Sequence, residues 1–400
     1  MADKPKIRFK GFTDAWEQRK FSELYERSSE KNDGSVGIEK NITVATMQFK
    51  PDVKVTTEEY LRTYYTFNLG DIAFEGHQSK EFKFGRFVEN DIGNGIVSHI
   101  FAVFRPIVNY DLNFWKYLIN NEGIMQGILS RSTKASTMMH DLVTNDFLKE
   151  EIIVPSIEEQ IRIGECFKYI DNLLTLHQRK CDELKKVKKF MLQNLFPKNG
   201  EKYPAIRFEG FTDAWEQRKL SDEFKNFIVP MRDKPKEFGG NIPWTRIEDI
   251  EGKYLNDSLS GQYVTEETIN QMNLKIIPKD SLIVSSSATF GVVAVITQDL
   301  ITNQTFIGLV PNDKETLDYW YAFFHSDEAR KYMGLQSAGS TIFYIARESF
   351  ENMPIKVPTK DEMIKIGTYF DNLDNLITLH QRKCDEIKEV KKFMLQNMFV

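Results

Sequence analysis

The sequence predicts an α/β (α+β) protein in which two pseudo-twofold-related domains are separated by two long antiparallel coiled-coil helices. Three observations carry this. Residues 7–22, IRFKGFTDAWEQRKFS, return at 206–221 as IRFEGFTDAWEQRKLS, with 14 of 16 positions identical. Residues 175–196, TLHQRKCDELKKVKKFMLQNLF, return at 378–399 with 19 of 22 identical. The interiors between these blocks, 23–150 and 222–350, share almost no identity. A solenoid needs at least three short repeats of ~20–50 residues. Two long units with matching ends and unlike middles mean one frame used twice to hold two different surfaces.

The elements follow in chain order. The first domain is expected over 1–155, and its start, MADKPKIRFKGF, has no signal-peptide pattern. Within it, GDIAFEGHQSKEFKFGRFV (70–88) reads as a turn, a short apolar strand, a polar stretch and a resumed strand. KDSLIVSSSATFGVVAVIT (279–297) repeats that pattern, with strands expected at 282–287 and 292–297. Apolar residues on a helical period predict helices at 113–129 and 317–332. A long helix is expected over 156–196: its apolar stripe runs from 161 to 195, roughly 52 Å, and Pro197 stops it. The segment PKNGEKYP (197–204) reads as a linker. The second domain follows at 205–358 and a second long helix at 359–400. Each helix is too long for one domain, so the two either bury their stripes on each other, each starting in its own domain and ending beside the other, or pack separately.

Composition excludes several classes. No apolar run approaches the ~18 residues that span a bilayer. Cys166, Cys181 and Cys384 are too few for a disulfide framework, and a cytoplasmic protein is expected. The net charge of −5 argues against indiscriminate polyanion binding, though not against a local basic groove. There is no Walker loop, dinucleotide fingerprint or HExxH, and no candidate catalytic set recurs in the two interiors. His177 and Cys181 recur as His380 and Cys384. They read either as polar residues fixing the register of a helix seam or as a His–Cys metal site; no metal is expected.

Polar loops are the candidate contacts. HQSKEFKFGR (77–86) offers Lys80, Lys83 and Arg86 against Glu81. Residues 131–137 form a run of donors without an acid, with Lys134 and Thr137 singled out. In the second interior the hydroxyl- and amide-rich stretches are SSSATFG, TNQT and QSAGST, giving Ser286, Ser287, Asn303, Gln304 and Ser340. Such groups suit phosphates and base edges; each is otherwise an ordinary solvated loop residue.

WEQRKFSEL (16–24) and WEQRKLSDE (215–223) precede the two interiors, and VPSIEEQIRIGECFKYIDNLLTLHQRK (154–180) and VPTKDEMIKIGTYFDNLDNLITLHQRK (357–383) follow them. On these motifs nearly the whole chain resembles the specificity subunits of type I restriction–modification systems. The P-x-x-x-E-Q-x-x-I-G pattern is intact in the first copy (Pro155, Glu159, Gln160, Ile163, Gly164), whereas Met363 replaces the glutamine in the second. The resemblance implies two different target recognition domains reading an asymmetric bipartite site in double-stranded DNA. It implies two modification (methyltransferase) subunits and two restriction subunits as partners, with S-adenosylmethionine, ATP and Mg on those partners and no catalytic residue in this chain. The alternatives are a two-headed coiled-coil protein-binding scaffold without DNA readout and an enzyme with two active sites. With helices of ~52 Å as the spacer and a duplex turn of ~34–36 Å, half-site centres about 10 base pairs apart are expected. A matched four-residue insertion after Lys189 and Lys392 is expected to widen the gap by about two base pairs.

Overall fold

The computed structural model describes residues 4–51, 57–136, 139–198, 200–231, 233–286, 291–336 and 345–400. It divides into two compact units that do not follow the halves of the chain. Unit 1 comprises Met1–Gln178 with Arg382–Val400, and unit 2 comprises Arg179–Gln381.

Each unit is closed by the same frame. In unit 1, Glu17–Lys20 pairs antiparallel with Glu151–Val154, Glu17 facing Val154. In unit 2, Glu216–Lys219 pairs with Pro354–Val357, Glu216 facing Val357. Beneath each strand pair an arginine forks onto a buried glutamate at the start of a long helix. Arg8 Nε and Nη2 donate to Glu159 at 2.7 Å each, and Arg207 donates to Glu362 at 2.8 and 2.7 Å. Two parallel N–H···O bonds fix direction as well as distance, so this contact orients the helix.

The interiors share a strand order despite their unlike sequences. In unit 1 the order is Tyr25–Ser28, Ala102–Pro106, Ile72–Glu75, Arg86–Glu89, all antiparallel. In unit 2 it is Phe224–Ile228, Phe306–Pro311, Ser281–Ser285, Val293–Ile296, with Tyr254–Leu255 added in parallel at the edge. Both hairpins expected from the strand–polar–strand pattern are present. The two mid-domain helices are each broken. Leu112–Ile119 and Glu122–Ser132 replace a continuous 113–129, because Asn121 caps the second with its side chain accepting from Gly123 N. Leu317–His325 and Asp327–Gln336 replace 317–332, with Ser326 Oγ accepting from Ala329 N. Short polar side chains at these breaks satisfy the exposed N–H groups of a new helix better than they extend the old one.

The long helices are Ile157–Asn194 and Lys360–Asn397, 38 residues each, or about 57 Å. Each starts in one unit and ends in the other. Within each unit their segments run antiparallel. In unit 1 Phe167 stacks on Phe399 and Lys391 reaches Asp171 at 2.6 Å. In unit 2 Phe370 stacks on Phe196 and Lys188 pairs with Asp374. A tyrosine of each interior completes the set: Tyr117 donates to Asp171 and lies under Lys391, and Tyr321 lies under Lys188. Burial first, then the bond to Asp171, pushes the Tyr117 phenol above its usual range. Cys181 and Cys384 take buried positions, whereas Cys166, His177 and His380 are half-buried. Among the described residues no group of three or more His, Cys, Asp or Glu could hold a metal. No helix among them is long and apolar enough to cross a membrane.

Candidate nucleic-acid interface

In unit 1 the polar stretch 76–85 is the loop of the central hairpin, and glycines set its shape. Gly85 has φ +79°, and a Cβ on Gly76 would lie 2.1 Å from the His140 carbonyl oxygen. That close approach lets His140 N donate to Gly76 O at 2.8 Å. His140 begins the second strand of a small hairpin, Thr133–Ala135 with His140–Leu142, in which Lys134 faces Asp141. Phe84 packs edge-on against the His140 ring at 5.4 Å. The loop and the small hairpin therefore form one ridge, with Lys80, Lys83 and Lys134 exposed on it.

Two sequence expectations for this ridge need correction. Residues 131–133 are not a loop of free donors: Arg131 closes the helix Glu122–Ser132 and pairs with Glu150 at 2.5 Å, while Ser132 and Thr133 hydroxyls donate to Ile128 and Leu129 carbonyls. The acid missing from the local sequence arrives from 19 positions away. Arg86 is also engaged, with Nε on Glu75 at 2.8 Å, Nη2 on the Ala45 carbonyl at 2.8 Å and its guanidinium over Phe82. Its role in the fold is to brace the loop. Below the ridge Glu122 is partly buried. Desolvation raises its carboxyl pKa, opposed by the Lys83 backbone N–H and the Lys83 charge.

The matching hairpin of unit 2 has no lysine in the sequence between its strands. Ser286 is buried, its hydroxyl donating to the Thr305 carbonyl at 3.3 Å and its backbone N–H to the same oxygen at 2.8 Å. It joins the strand to the 302–305 turn rather than facing solvent. In that turn Asn303 Oδ1 accepts from Thr305 N and its hydroxyl, and Asn303 N donates to the Thr245 carbonyl at 3.3 Å. Gln304 is exposed. Thr137, Ser287 and Ser340 lie outside the described residues. The structure thus groups Lys80, Lys83, Arg86 and Lys134 in one unit and Ser286, Asn303 and Gln304 in the other. Sequence reasoning missed Glu75, His140 and Arg246. The paired glycines around 76–85 were a usable signal for the first two; Arg246 comes beside the 302–305 turn only because Thr245 pairs in parallel with Thr302.

The frame, the swapped helices and the unlike interiors have counterparts among known proteins. Residues 212–389 match the family model described as the type I restriction modification DNA specificity domain. The MjaIX specificity subunit of Methanocaldococcus jannaschii, a type I restriction enzyme component, is 26% identical over 189 residues, covering 46% of this chain and 44% of that one. The putative MjaX specificity subunit of the same organism is 22% identical over 245 residues, covering 60% and 56%. The chain thus spans about half the length of these relatives. Among solved structures, the type I restriction–modification S subunit from M. genitalium superposes with a TM-score of 0.58 at 14% identity, covering 99% of both chains. Residues 212–389 thus match the type I restriction modification DNA specificity domain, and over its whole length the chain shares the fold of that S subunit.

Proposed function

We propose that this chain is the DNA sequence-recognition subunit of a type I restriction–modification complex, reading an asymmetric bipartite duplex site through two different domains. The observation that carries this is the contrast within each unit. The frame contacts repeat pair for pair, Arg8–Glu159 as Arg207–Glu362 and Asp171–Lys391 as Asp374–Lys188. The outward loops do not repeat, offering lysines in one unit and amides and hydroxyls in the other. A homodimeric reader presents identical halves to a palindrome; this arrangement supports two unlike half-sites. Lys80, Lys83 and Lys134 are the contacts in unit 1, with Arg86 bracing them and Thr137 beside them in sequence. Asn303, Gln304, Ser287 and Ser340 are those of unit 2, with Ser286 bracing.

The partners follow from the repeated surface. Unit 1 exposes Leu176, Val390 and Phe393, and unit 2 exposes their counterparts Leu379, Val187 and Phe190. In unit 2 Val187 and Phe190 fall on one face of the first long helix, and in unit 1 Val390 and Phe393 on one face of the second, a stripe of exposed apolar side chains in each that marks an interaction site. Two copies of one modification subunit would meet the same stripe twice, and restriction subunits would join through them. S-adenosylmethionine, ATP and Mg belong to those partners, the assembly is cytoplasmic, and the chain itself is non-catalytic. The test is duplex binding and methylation by the chain co-purified with its modification subunit. The expected result is tight binding to the mapped site, weak binding to a scrambled duplex, and no methyl transfer by the chain alone. Equal affinity for both duplexes would instead indicate a protein-binding scaffold.

A further inference from the structure

In unit 2, Ile242–Thr245 lies between Tyr263–Val264 and Ile301–Thr302. It runs parallel to the latter, Trp244 facing Ile301 and Thr245 facing Thr302. The next residues on each strand, Arg246 and Asn303, are therefore neighbours at the rim of this small sheet, and the Asn303 N–H bond to Thr245 holds them there. Arg246 is half-buried with its guanidinium 5.6 Å from the Trp244 ring centre. Lys234, which is exposed, sits 5.6 Å from the same ring and 5.3 Å from Phe238.

Two features set this cluster apart. Arg246 Nε is buried and has no hydrogen-bond partner among the described residues. Among the other arginines of the two units, Arg8, Arg86, Arg105, Arg131 and Arg207 meet carboxylates and Arg27 meets backbone carbonyls. A desolvated donor left unpaired is costly, and a guanidinium resting on an indole keeps its fork geometry. Two cations gather on one aromatic ring beside the 302–305 turn; neither side chain forms an ion pair among the described residues, and the one carboxylate at Arg246, that of Asp249, accepts from its backbone N–H at 2.7 Å.

We propose that Arg246 is a base-reading residue of the second unit, forking onto a purine edge in the major groove, with Lys234 on the neighbouring phosphate. This rests on the DNA-recognition reading above and extends it to residues that the polar loops did not include. Guanine offers two acceptors, O6 and N7, at the spacing of a guanidinium fork, and the pre-stacked side chain gives up little freedom on binding.

The test uses the full chain in complex with its modification subunits and duplex oligonucleotides carrying every single base-pair change across the mapped site. Arg246→Ala should reduce discrimination by about tenfold or more at one base pair of one half-site, leaving the other half-site intact. Arg246→Lys keeps the charge and loses the fork, and should lose discrimination at the same position. Lys234→Ala should weaken all sequences alike and reduce the salt slope by about one. Uniform weakening by Arg246→Ala would make it a phosphate contact and overturn the assignment. Full discrimination in both Arg246 variants, with binding still impaired by Lys80→Ala and Lys83→Ala, would overturn it while leaving the DNA reading standing. A wild-type complex that does not prefer its mapped site to a scrambled duplex would remove both.

Discussion

Glu159 is almost wholly buried and accepts three N–H bonds, two from Arg8 and one from Trp16 Nε1 at 3.1 Å. Its counterpart Glu362 accepts the two from Arg207, while Trp215 Nε1 is buried with no partner among the described residues. Removing one partner of a buried ion pair strands the other, at about 3 kcal/mol. Glu159→Ala also strands an indole N–H, so it should cost about 1 kcal/mol more than Glu362→Ala. Urea unfolding of the two variants checks this; equal losses would mean the indole bond contributes nothing. His325 carries a second prediction. Burial, chiefly, lowers its pKa to about 4, with Lys188 and Arg330 adding to the effect and the Nδ1 bond to the Tyr321 carbonyl and the Asp374 charge opposing it. In the unfolded chain it titrates near ~6.5. Between these values the unfolded state binds more protons. Stability is therefore full above about 6.5 and is lost as pH falls toward 4, by up to about 3 kcal/mol. Thermal unfolding between pH 7 and 4.5 should show a steeper loss in the wild type than in His325→Phe.

Gly164 and Gly367 sit about two turns into the long helices, where alanine ordinarily stabilises by about 1 kcal/mol. Here a Cβ on Gly164 would lie 2.1 Å from Asp111 Oδ1, and one on Gly367 would lie 2.7 Å from Tyr319 N. Both helices cross another helix start at backbone contact. Gly367→Ala and Gly164→Ala should each destabilise by at least ~1–3 kcal/mol, whereas Gly334→Ala, with no atom of the described residues within 4 Å of its Cβ, should not. A stabilised Gly367→Ala would show that the crossing can relax. At this scale much was legible. The strand–polar–strand hairpins and both long helices follow from periodicity, which is a local property. The breaks at Asn121 and Ser326 were not, because a capping side chain competes with continued helix on nearly equal terms. Ile161 and Val187 belong to the apolar stripe by spacing yet are exposed; a stripe of period 3.6 wraps more of the helix than one partner covers. Gln160 shows what its motif is for: it accepts from Asp111 N and donates to the Pro155 carbonyl. Met363, which replaces it, joins the apolar core of unit 2 instead.

For the whole molecule, the division of the chain at Gln178/Arg179 and Gln381/Arg382 matters most. Both long helices pass through both units, so a spacer change must be made at these equivalent points. Insertion after Lys189 and Lys392 would fall inside the units and put the Phe196–Phe370 and Phe399–Phe167 contacts out of register with Lys188–Asp374 and Lys391–Asp171. Four helical residues inserted at 178/179 and at 381/382 lengthen each helix by about 6 Å. The methylated site should then keep both half-sites and gain about two base pairs of gap. An unchanged gap would mean that the helices do not set the spacing. The sequence by itself determined the doubled frame, the long helices and the unlike interiors, because repeats and periodicity are written in neighbouring residues. Only the tertiary structure decided which polar groups are free to meet a ligand. Arg86 and Arg131 look available in sequence and are spent on Glu75 and Glu150. Arg246 looks like an ordinary strand end, yet its Nε is buried beside Trp244 with no partner among the described residues. A side chain's hydrogen-bond partners are set by strands and loops brought from far along the chain, and no local pattern records that pairing.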